Sequence, residues 1–251
     1  MNSYYDERET RTAEQRFEAL TSEVLDLVTH AKTHAPAYAE LLKDVDTAAL
    51  SSLEDLASIP LTRKSELMEL QSKAPPFGGL MADTGSPLKH IFVSPGPIFE
   101  PQVTRPNYWR MARALYAAGI RHGSVVHNSF SYHLTPAGAM LNSGCHALEA
   151  AVIPGGVGNT EQQLESIVQL KPDAYCGTPS FLGILIDRAL EAGVDIRSVN
   201  KALVSGEAFL PSQRQQFKRY GVSAVQCYAT ADVGLIAYES SVDSALIVDE
   251  D

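Results

Sequence analysis

The sequence has 251 residues, 45% of them hydrophobic, which is enough for one domain with a sizeable core. Its formal net charge of −10, without a cluster of Lys and Arg, argues against nucleic-acid binding and favours small-molecule partners. No apolar stretch approaches the roughly 20 residues that span a bilayer, and the polar start lacks the features of a secretory signal. We therefore expect a cytoplasmic protein without membrane contact.

The cysteines and one histidine pair are the first candidates for metal or redox chemistry. Cys145, Cys176 and Cys227 are far apart and odd in number, which predicts reduced thiols in the core, and no pair has zinc-ligand spacing. His30 and His34 have the spacing of two metal ligands on a helix, but they would equally complement the dipole at a helix end.

Residues 1–87 are predicted to form a helical entry region. Residues 12–35 carry apolar side chains at helical intervals, Thr12 and Gln15 have the spacing of a capping box, and Pro36 ends the pattern. Two shorter helical patterns and a loop rich in proline and glycine follow, at 52–58, 62–72 and 73–87.

From residue 88 to 251, short β-like runs alternate with helical runs, which predicts an α/β core with a mainly parallel sheet flanked by helices. The helices of residues 12–72 would form an N-terminal helical layer beside it. The predicted strands are 89–93, 124–128, 150–153, 174–176, 202–204, 224–228 and 245–248. The predicted helices are 107–120, 134–143, 160–170, 179–192 and 211–220.

Local signals mark the ends of several of these helices. Thr160 and Gln163 have the spacing of a second capping box, Pro179 and Pro211 suit the first helical turn, and Gly221 suits a helix stop. The last predicted strand, 245–248, could be the edge of an interrupted sheet or part of a frayed, charged tail.

Signatures of several enzyme classes are absent from the sequence. It contains no P-loop and no nucleophile elbow, and the glycines at 155–158 lack the spacing of a dinucleotide fingerprint. Ligands of parallel sheets bind at the carboxyl ends of the strands, so the loops after the predicted strands become the candidate site.

The first two of these loops have residue types that suit a phosphate and an aromatic acid. Ser94 and Gly96 could wrap a phosphate with backbone N–H groups, although the neighbouring prolines also fit a rigid turn. Phe130, Tyr132 and His133 could line an aromatic-substrate pocket or could pack in the core.

Two later loops suit anions or a ligand edge. Thr178 opens a helix, whose N-terminus favours an anion, although the threonine could simply cap it. Ser205, Gly206, Glu207 and Ala208 place a carboxylate beside a glycine after the next strand, as at a ligand edge or in a solvated turn.

Taken in order, these segments resemble the phenylacetate–coenzyme A ligase family, a branch of the adenylate-forming superfamily that also contains acyl-CoA synthetases and luciferases. Residues 205–208 resemble the Gly-Ala-Glu-Pro segment that borders adenine, and residues 228–232 resemble the Tyr-Gly-x-Ser/Thr-Glu segment. The resemblance covers nearly the whole chain. Its other segments are Tyr4-Tyr5, 59–64, 76–78, 153–156, 160–163 and 178–181.

The resemblance implies an ATP-dependent ligase that joins a small aromatic or aliphatic carboxylic acid to coenzyme A. The carboxylate attacks the α-phosphate of ATP to give an acyl adenylate and pyrophosphate, and coenzyme A then displaces AMP. ATP, Mg²⁺ and coenzyme A are therefore the implied cofactors, and positioning and charge neutralisation are the implied work of the protein.

The resemblance also implies roles for individual residues. Asp232 would hold Mg²⁺ and act with Thr230 in catalysis, while Tyr228 would stack on adenine beside Ala229. The remaining nucleotide and phosphate contacts would come from Ser94, Gly96, Ser205, Gly206, Glu207 and Ala208. The acid would be bound by Phe130, Tyr132, His133 and Thr178.

The sequence departs from the family pattern in its phosphate loop and in its last motif. The usual Ser-Ser-Gly-Thr-Thr-Gly is replaced by a loop with Pro95 and Pro97, which predicts weak nucleotide binding. The motif glutamate, glycine and hydroxyl residue are replaced by Asp232, Ala229 and Ala231.

The family continues with a ribose-binding aspartate, a hinge and a mobile lysine-bearing domain, none of which is found in these residues. We therefore expect 1–251 to be a single adenylate-forming N-terminal domain that is incomplete, present as a fragment of a ligase. The alternative is a non-catalytic nucleotide- or acid-binding relative. The open strand at 245–248 makes a homodimer one expected arrangement.

Overall fold

The computed structural model describes residues 4–82 and 85–250, so residues 83 and 84 of the predicted loop at 73–87 lie outside the described residues. The described chain divides into two compact units, one of Asp6–Thr104 and one of residues 4–5 with 105–250. Among the described helices, none combines the length and apolarity needed to cross a membrane.

The unit Asp6–Thr104 contains the helical region and one β-hairpin. Its long first helix confirms the prediction, because Thr12 and Gln15 form both hydrogen bonds of the capping box, at 3.2 and 2.9 Å. Glu54–Ser58, predicted as a helix, is a short 3-10 turn. The α-helices are α1 (Ala13–His34), α2 (Pro36–Leu41) and α3 (Lys64–Lys73), and the strands are β1 (Leu88–Ser94) and β2 (Ile98–Val103).

The placement of the first predicted strand in the parallel sheet is wrong. β1 pairs only with β2, antiparallel, in a separate two-stranded sheet. Residues 95–97, two prolines around a glycine, reverse the chain at once, so the next residues pair back as a strand. Ser94 and Gly96 therefore lie in a strand-to-strand turn, not in a strand-to-helix loop.

The second unit contains a seven-stranded sheet in the order β4-β3-β5-β6-β7-β8-β9. The pairs from β4 to β7 are parallel and the last two pairs are antiparallel, which confirms the α/β class with a mainly parallel sheet. The strands are β3 (Val125–Asn128), β4 (Ala151–Pro154), β5 (Ala174–Gly177), β6 (Lys201–Val204), β7 (Ser223–Thr230), β8 (Gly234–Glu239) and β9 (Leu246–Val248).

The helices of this unit flank the sheet. Only Ala112–Ala117 of the predicted helix 107–120 is helical, because Asn107 and Arg110 adopt positive φ angles of 48° and 62° that a helix cannot continue through. The helices are α4 (Ala112–Ala117), α5 (Ala137–Ala147), α6 (Thr160–Leu170), α7 (Pro179–Ala192) and α8 (Pro211–Tyr220).

The strand order creates a topological switch point between β3 and β5. The chain runs from β3 outward to β4, returns past β3 to β5, and then continues to β6 and β7 in that direction. Right-handed crossovers therefore place α5 on one face and α6, α7 and α8 on the other. A crevice opens between the carboxyl ends of two strands whose helices leave to opposite faces, as β3 and β5 do.

The predicted helix ends are confirmed at Pro179, Pro211 and Gly221, the last with a φ of 95°. The predicted capping box at Thr160 is wrong. The N-cap is Asn159, and the Gln163 side chain is buried and bonded to other groups.

The core of the second unit lies between the sheet and α6, α7 and α8, centred on the buried side chains of Tyr175, Leu185 and Phe217. The three cysteines are buried and free, as predicted for core thiols.

The last strand is paired on one side, with β8, and its three residues are exposed. The next residue is held firmly, because the Asp249 carboxylate is only 1% exposed and accepts from Arg113 at 3.1 Å and Arg110 at 3.3 Å. This segment is therefore an anchored edge strand and not a frayed tail.

Candidate functional site

The loop that follows β3 is hydrogen-bonded to strand β5 at the switch point. The Ser129 amide donates to the Cys176 carbonyl at 2.8 Å, and the Ser129 hydroxyl lies 2.6 Å from the Tyr175 hydroxyl. A Cβ on Gly177 would lie 2.1 Å from both hydroxyl oxygens, so glycine is required there for space. Burial raises the pKa of Tyr175, which keeps this phenol neutral.

The loop after β6 is tied to the strands on both sides. The Ser205 amide donates to Gly177 O at 3.1 Å, and its hydroxyl donates to Cys227 O on β7 at 2.8 Å. Glu207 reaches back to the start of α7, where its carboxylate accepts from the Ser180 amide at 2.7 Å. The loops after β3 and β6 thus join the ends of β3, β5, β6 and β7 in one continuous hydrogen-bonded row.

The start of α7 is capped by the protein itself. The Thr178 hydroxyl accepts from the Phe181 amide at 3.3 Å, so the capping interpretation is observed. Because the Glu207 carboxylate already accepts from the Ser180 amide, the N-terminus of α7 would attract an anionic ligand less strongly than the helix dipole alone would. Thr178 is left with its methyl group as a contact surface.

Three of the predicted site residues meet at the crevice. A Cβ on Gly206, whose φ is +86°, would lie 3.6 Å from both Phe130 Cε1 and Thr178 Cγ2. The absent side chain leaves room between an aromatic ring and a methyl group, and only glycine adopts this backbone conformation without strain. A flat apolar group would fit such a surface. Ala208 follows two residues later in the same exposed loop.

Tyr132 is held by two asparagine side chains, the buried Asn128 and the half-buried Asn142. Its hydroxyl donates to Asn142 Oδ1 at 2.7 Å and accepts from Asn128 Nδ2 at 2.8 Å. Burial raises the pKa of Tyr132, so its hydroxyl stays protonated. His133, one residue further on, is exposed at the edge of the loop and bonded through its amide to the Ser131 hydroxyl.

The predicted nucleotide-stacking residues lie at the end of β7 and in its hairpin to β8. Tyr228 is 56% exposed. It follows Cys227, whose carbonyl accepts from the Ser205 hydroxyl, so Tyr228 and Ser205 lie close together. A bulge separates Tyr228 from Ala229, and the Thr230 hydroxyl accepts from the Val233 amide at 3.1 Å. Asp232 is exposed in the turn between the strands.

Ser94 and Gly96 belong to the other unit, so their predicted meeting with the remaining site residues stays a prediction. The Ser94 hydroxyl is buried and donates to the carboxylate of Glu100, also buried. A Cβ on Gly96 would lie 2.7 Å from Ile98 Cγ1.

Sequence reasoning missed a set of polar side chains beneath the loops: the buried His127, Asn128 and Gln163 and the half-buried Asn142. Two of them, His127 and Asn128, end an otherwise apolar strand and are 0% exposed. Polar residues at the end of a buried strand are a usable signal, because a buried polar group must find a partner.

A metal site built from protein ligands alone is not observed. Within residues 4–82 and 85–250, no group of three or more His, Cys, Asp and Glu could hold an ion. His34 Nδ1 lies 3.0 Å from the His30 carbonyl in its own helix, which does not suit a ligand pair. Mg²⁺ usually needs only one or two carboxylates when phosphates complete its shell, and exposed Asp232 fits that arrangement.

Comparisons with known proteins identify relatives of the chain by sequence and by fold. No family model matches the chain. It is 31% identical to the phenylacetate-coenzyme A ligase of Thermus thermophilus, covering 92% of this chain and 53% of that protein. The phenylacetate-coenzyme A ligase of Aromatoleum evansii is 29% identical, covering 82% and 48%. The chain thus spans about half the length of the curated relatives it matches.

A solved structure shares the fold. The 2-hydroxyisobutyryl-CoA ligase in complex with 2-HIB-AMP and CoA matches with a TM-score of 0.89 at 24% identity, covering 98% of this chain and 56% of that chain. An open conformation of that ligase matches with a TM-score of 0.85 at 25% identity. By its sequence relatives and its fold, the chain belongs to the phenylacetate–coenzyme A ligase family of adenylate-forming enzymes.

Proposed function

We propose that this chain provides the acid- and nucleotide-binding part of an AMP-forming acid–coenzyme A ligase that works in the cytoplasm. The observation that carries the proposal is the hydrogen-bonded row in which the loops after β3 and β6 join the ends of β3, β5, β6 and β7. This row lies at a topological switch point, where open α/β sheets bind their ligands. It holds several loop residues at fixed distances from one another, as a reaction that depends on positioning requires.

The proposed reaction has two steps. A carboxylate oxygen bonds to the α-phosphorus of ATP while the bond to pyrophosphate breaks. The sulfur of coenzyme A then bonds to the acyl carbon, and AMP leaves with the bonding electrons. The first step moves negative charge from the carboxylate to the leaving pyrophosphate. In the second step the thiol releases its proton to solvent, and the negative charge ends on the phosphate oxygen of AMP. Fixed dipoles and a bound Mg²⁺ would stabilise the charge on these oxygens.

The acid would bind over Phe130, Tyr132, Thr178 and Gly206, with His133 at the rim. Support comes from Gly206, where an added Cβ would lie 3.6 Å from both Phe130 Cε1 and Thr178 Cγ2, so the ring and the methyl group lie on either side of the bare glycine. The Phe130 ring and the apolar surface at Gly206 and Thr178 suit a planar aryl group of the acid better than a charged substituent. An arylacetic acid, the substrate class in the relatives' names, is therefore the first ligand to test.

The nucleotide would bind along residues 205–208 and the end of β7. The exposed ring of Tyr228 offers a stacking surface for adenine, next to the Ser205 loop. Asp232 would hold Mg²⁺ jointly with the phosphates. Glu207 would act indirectly, since its carboxylate is bonded to the Ser180 amide and keeps the loop in place.

One observation favours a second candidate, a relative that binds the acid or the nucleotide without turning it over. Ser94 donates its hydroxyl to the buried Glu100 carboxylate, and prolines on both sides of Gly96 lack amide donors. A carboxylate beside a phosphate loop repels phosphate. Such a loop would stabilise the triphosphate poorly.

Calorimetry and isotope exchange separate the two candidates. The chain is titrated with phenylacetate and with MgATP, and pyrophosphate exchange into ATP is then measured with the acid present. Acid-dependent exchange supports the ligase. Binding of acid or nucleotide without exchange supports the non-catalytic relative. No binding of either ligand would overturn both proposals.

A further inference from the structure

The loop of Gly155–Gly158 follows β4 and adjoins the proposed acid pocket. The Gly156 amide donates to the Asn128 carbonyl at 3.1 Å, at the end of β3. A Cβ on Gly156 would point to within 3.8 Å of Tyr132 Cδ2, so the loop backbone lies beside that ring. Gly156 and Gly158 adopt positive φ angles of 68° and 74°. Because a glycine backbone has many accessible conformations, the loop has little conformational preference of its own. Something outside the loop must hold it.

Gln163 on α6 supplies that hold. Its side chain is 3% exposed, and its Nε2 donates to both Gly156 O at 2.9 Å and Gly158 O at 2.6 Å. Since both acceptors are carbonyls, the amide nitrogen must face them, and the orientation of the side chain is determined. Its oxygen then faces His127.

His127 completes the arrangement from β3. Its Nε2 lies 2.7 Å from Gln163 Oε1, and that oxygen can only accept, so the histidine donates from Nε2. No described group bonds to Nδ1, which fits a neutral ring in a 0% exposed position. A Cβ on Gly155 would lie 2.8 Å from Gln163 Oε1 and 2.9 Å from His127 Nε2, so the loop backbone packs directly on this pair.

We propose that His127 and Gln163 are positioning residues for the acid half of the site. They fix the 155–158 loop against Tyr132 and so set the width of the pocket on that side. Neither residue touches the acid itself. The inference rests on the proposed function, because it assigns the loop to the wall of the acid pocket.

Two kinds of variant test the pair. Gln163→Met keeps the volume and removes all three hydrogen bonds, while Gln163→Glu keeps the acceptor toward His127 and loses the two donors to the loop. Gln162→Met, on the exposed neighbouring position, is the matched control. His127→Leu removes the donor from β3, and His127→Gln should restore it, since an amide nitrogen can reach the same place.

The first readout is amide hydrogen exchange of peptides covering 154–160 in the free chain. Loss of the Gln163 bonds should raise exchange there by about tenfold, a change that corresponds to one or two hydrogen bonds. The Gln162→Met and His127→Gln chains should match the wild type. Circular dichroism confirms that each variant is folded, and unchanged exchange in Gln163→Met would overturn the inference.

The second readout is the dissociation constant for phenylacetate, measured beside that for MgATP. We expect the acid to bind about tenfold more weakly to Gln163→Met, Gln163→Glu and His127→Leu, with MgATP binding unchanged. Faster loop exchange with unchanged acid binding would refute the positioning role. If the wild type binds no acid, the proposed function itself fails, and the loop exchange still reports whether the pair holds the loop.

Discussion

Gly177 ends β5 at a point where a side chain has no space. Its missing Cβ would overlap the hydroxyl groups of Ser129 and Tyr175, which are bonded to each other. We expect Gly177→Ala to separate that pair and to lower the free energy of unfolding by about 2–4 kcal/mol. Urea denaturation measures the change. Gly183→Ala is the control, since its Cβ would meet only the tip of Gln216 and alanine suits a helix, and a stability equal to wild type in Gly177→Ala would contradict the prediction.

His127 should make stability depend on pH in a defined direction. Burial lowers its pKa, and the groups that face it, Gln163 and the ring of Tyr175, carry no charge. In the unfolded chain the pKa of a histidine is about 6.5. Between that value and the lower folded pKa, the unfolded state binds more protons. Stability should therefore fall as pH falls below about 6.5, by at most ~1.4 kcal/mol per pH unit.

The measurement is urea denaturation at several pH values between neutrality and mild acid. His127→Gln removes the titrating group and should flatten the profile over this interval, while carboxylates affect both chains alike at lower pH. Parallel profiles for the two proteins would show that His127 is not the source of the dependence.

The meeting of individual site residues could be predicted where it depends only on their position after a parallel strand. Phe130, Thr178 and Gly206 each come just after a predicted parallel strand, so their meeting at one edge of the sheet follows from topology. The bond between His127 and Gln163 spans 36 residues and depends on the exact orientation of β3 and α6. Local spacing instead favoured a capping box between Gln163 and Thr160. The structure shows that Gln163 bonds to the distant His127 and not to the backbone of Thr160.

At the scale of elements, local start or stop signals predicted the extents of α1, α7 and α8 closely, and α6 has its predicted extent although its predicted capping box is wrong. α1 ends before Pro36 and α8 before Gly221, while α7 begins at Pro179 and packs a buried apolar face into the core, so local and tertiary preferences agree. The hairpin of β1 and β2 was missed, because a strand gives no local sign of the sheet it will join. Pairing is decided by the turn at residues 95–97 and by burial, which only the structure shows.

Asp249 anchors the last described strand to α4. Its carboxylate is 1% exposed and lies between Arg110 and Arg113, the latter side chain 5% exposed. Asp249→Asn should lower the free energy of unfolding by about 3–5 kcal/mol, since it removes a buried negative charge that faces the guanidinium groups of Arg113 and Arg110.

The control is Asp243→Asn. That carboxylate is 64% exposed and lies 3.5 Å from Arg214, so its loss should change stability by less than about 0.5 kcal/mol. Chemical denaturation of both variants gives the comparison. Equal effects of the two substitutions would mean that the pairing of Asp249 contributes little.

At the scale of the whole molecule, the chain spans about half the length of its curated relatives, and its charge distribution bears on what it can do alone. The sheet unit has lysines at positions 171, 201 and 218. Lys171 precedes β5, Lys201 begins β6 and pairs with Asp173, and Lys218 lies in the last turn of α8. All three therefore lie at the amino end of the sheet, opposite the loops of the candidate site.

This placement predicts that the chain assayed alone will not sustain thioester synthesis. Adenylation builds negative charge on the α-phosphate, and a missing charge-stabilising donor typically lowers kcat by about 10²–10³. The chain is incubated with MgATP, coenzyme A and phenylacetate, and AMP release is followed beside thioester formation, with the Thermus thermophilus relative as the positive control. We expect turnover at least about 100-fold below that of the relative. Any residual rate should be lost in Asp232→Asn if Asp232 holds the metal. Thioester formation at the relative's rate would contradict the prediction.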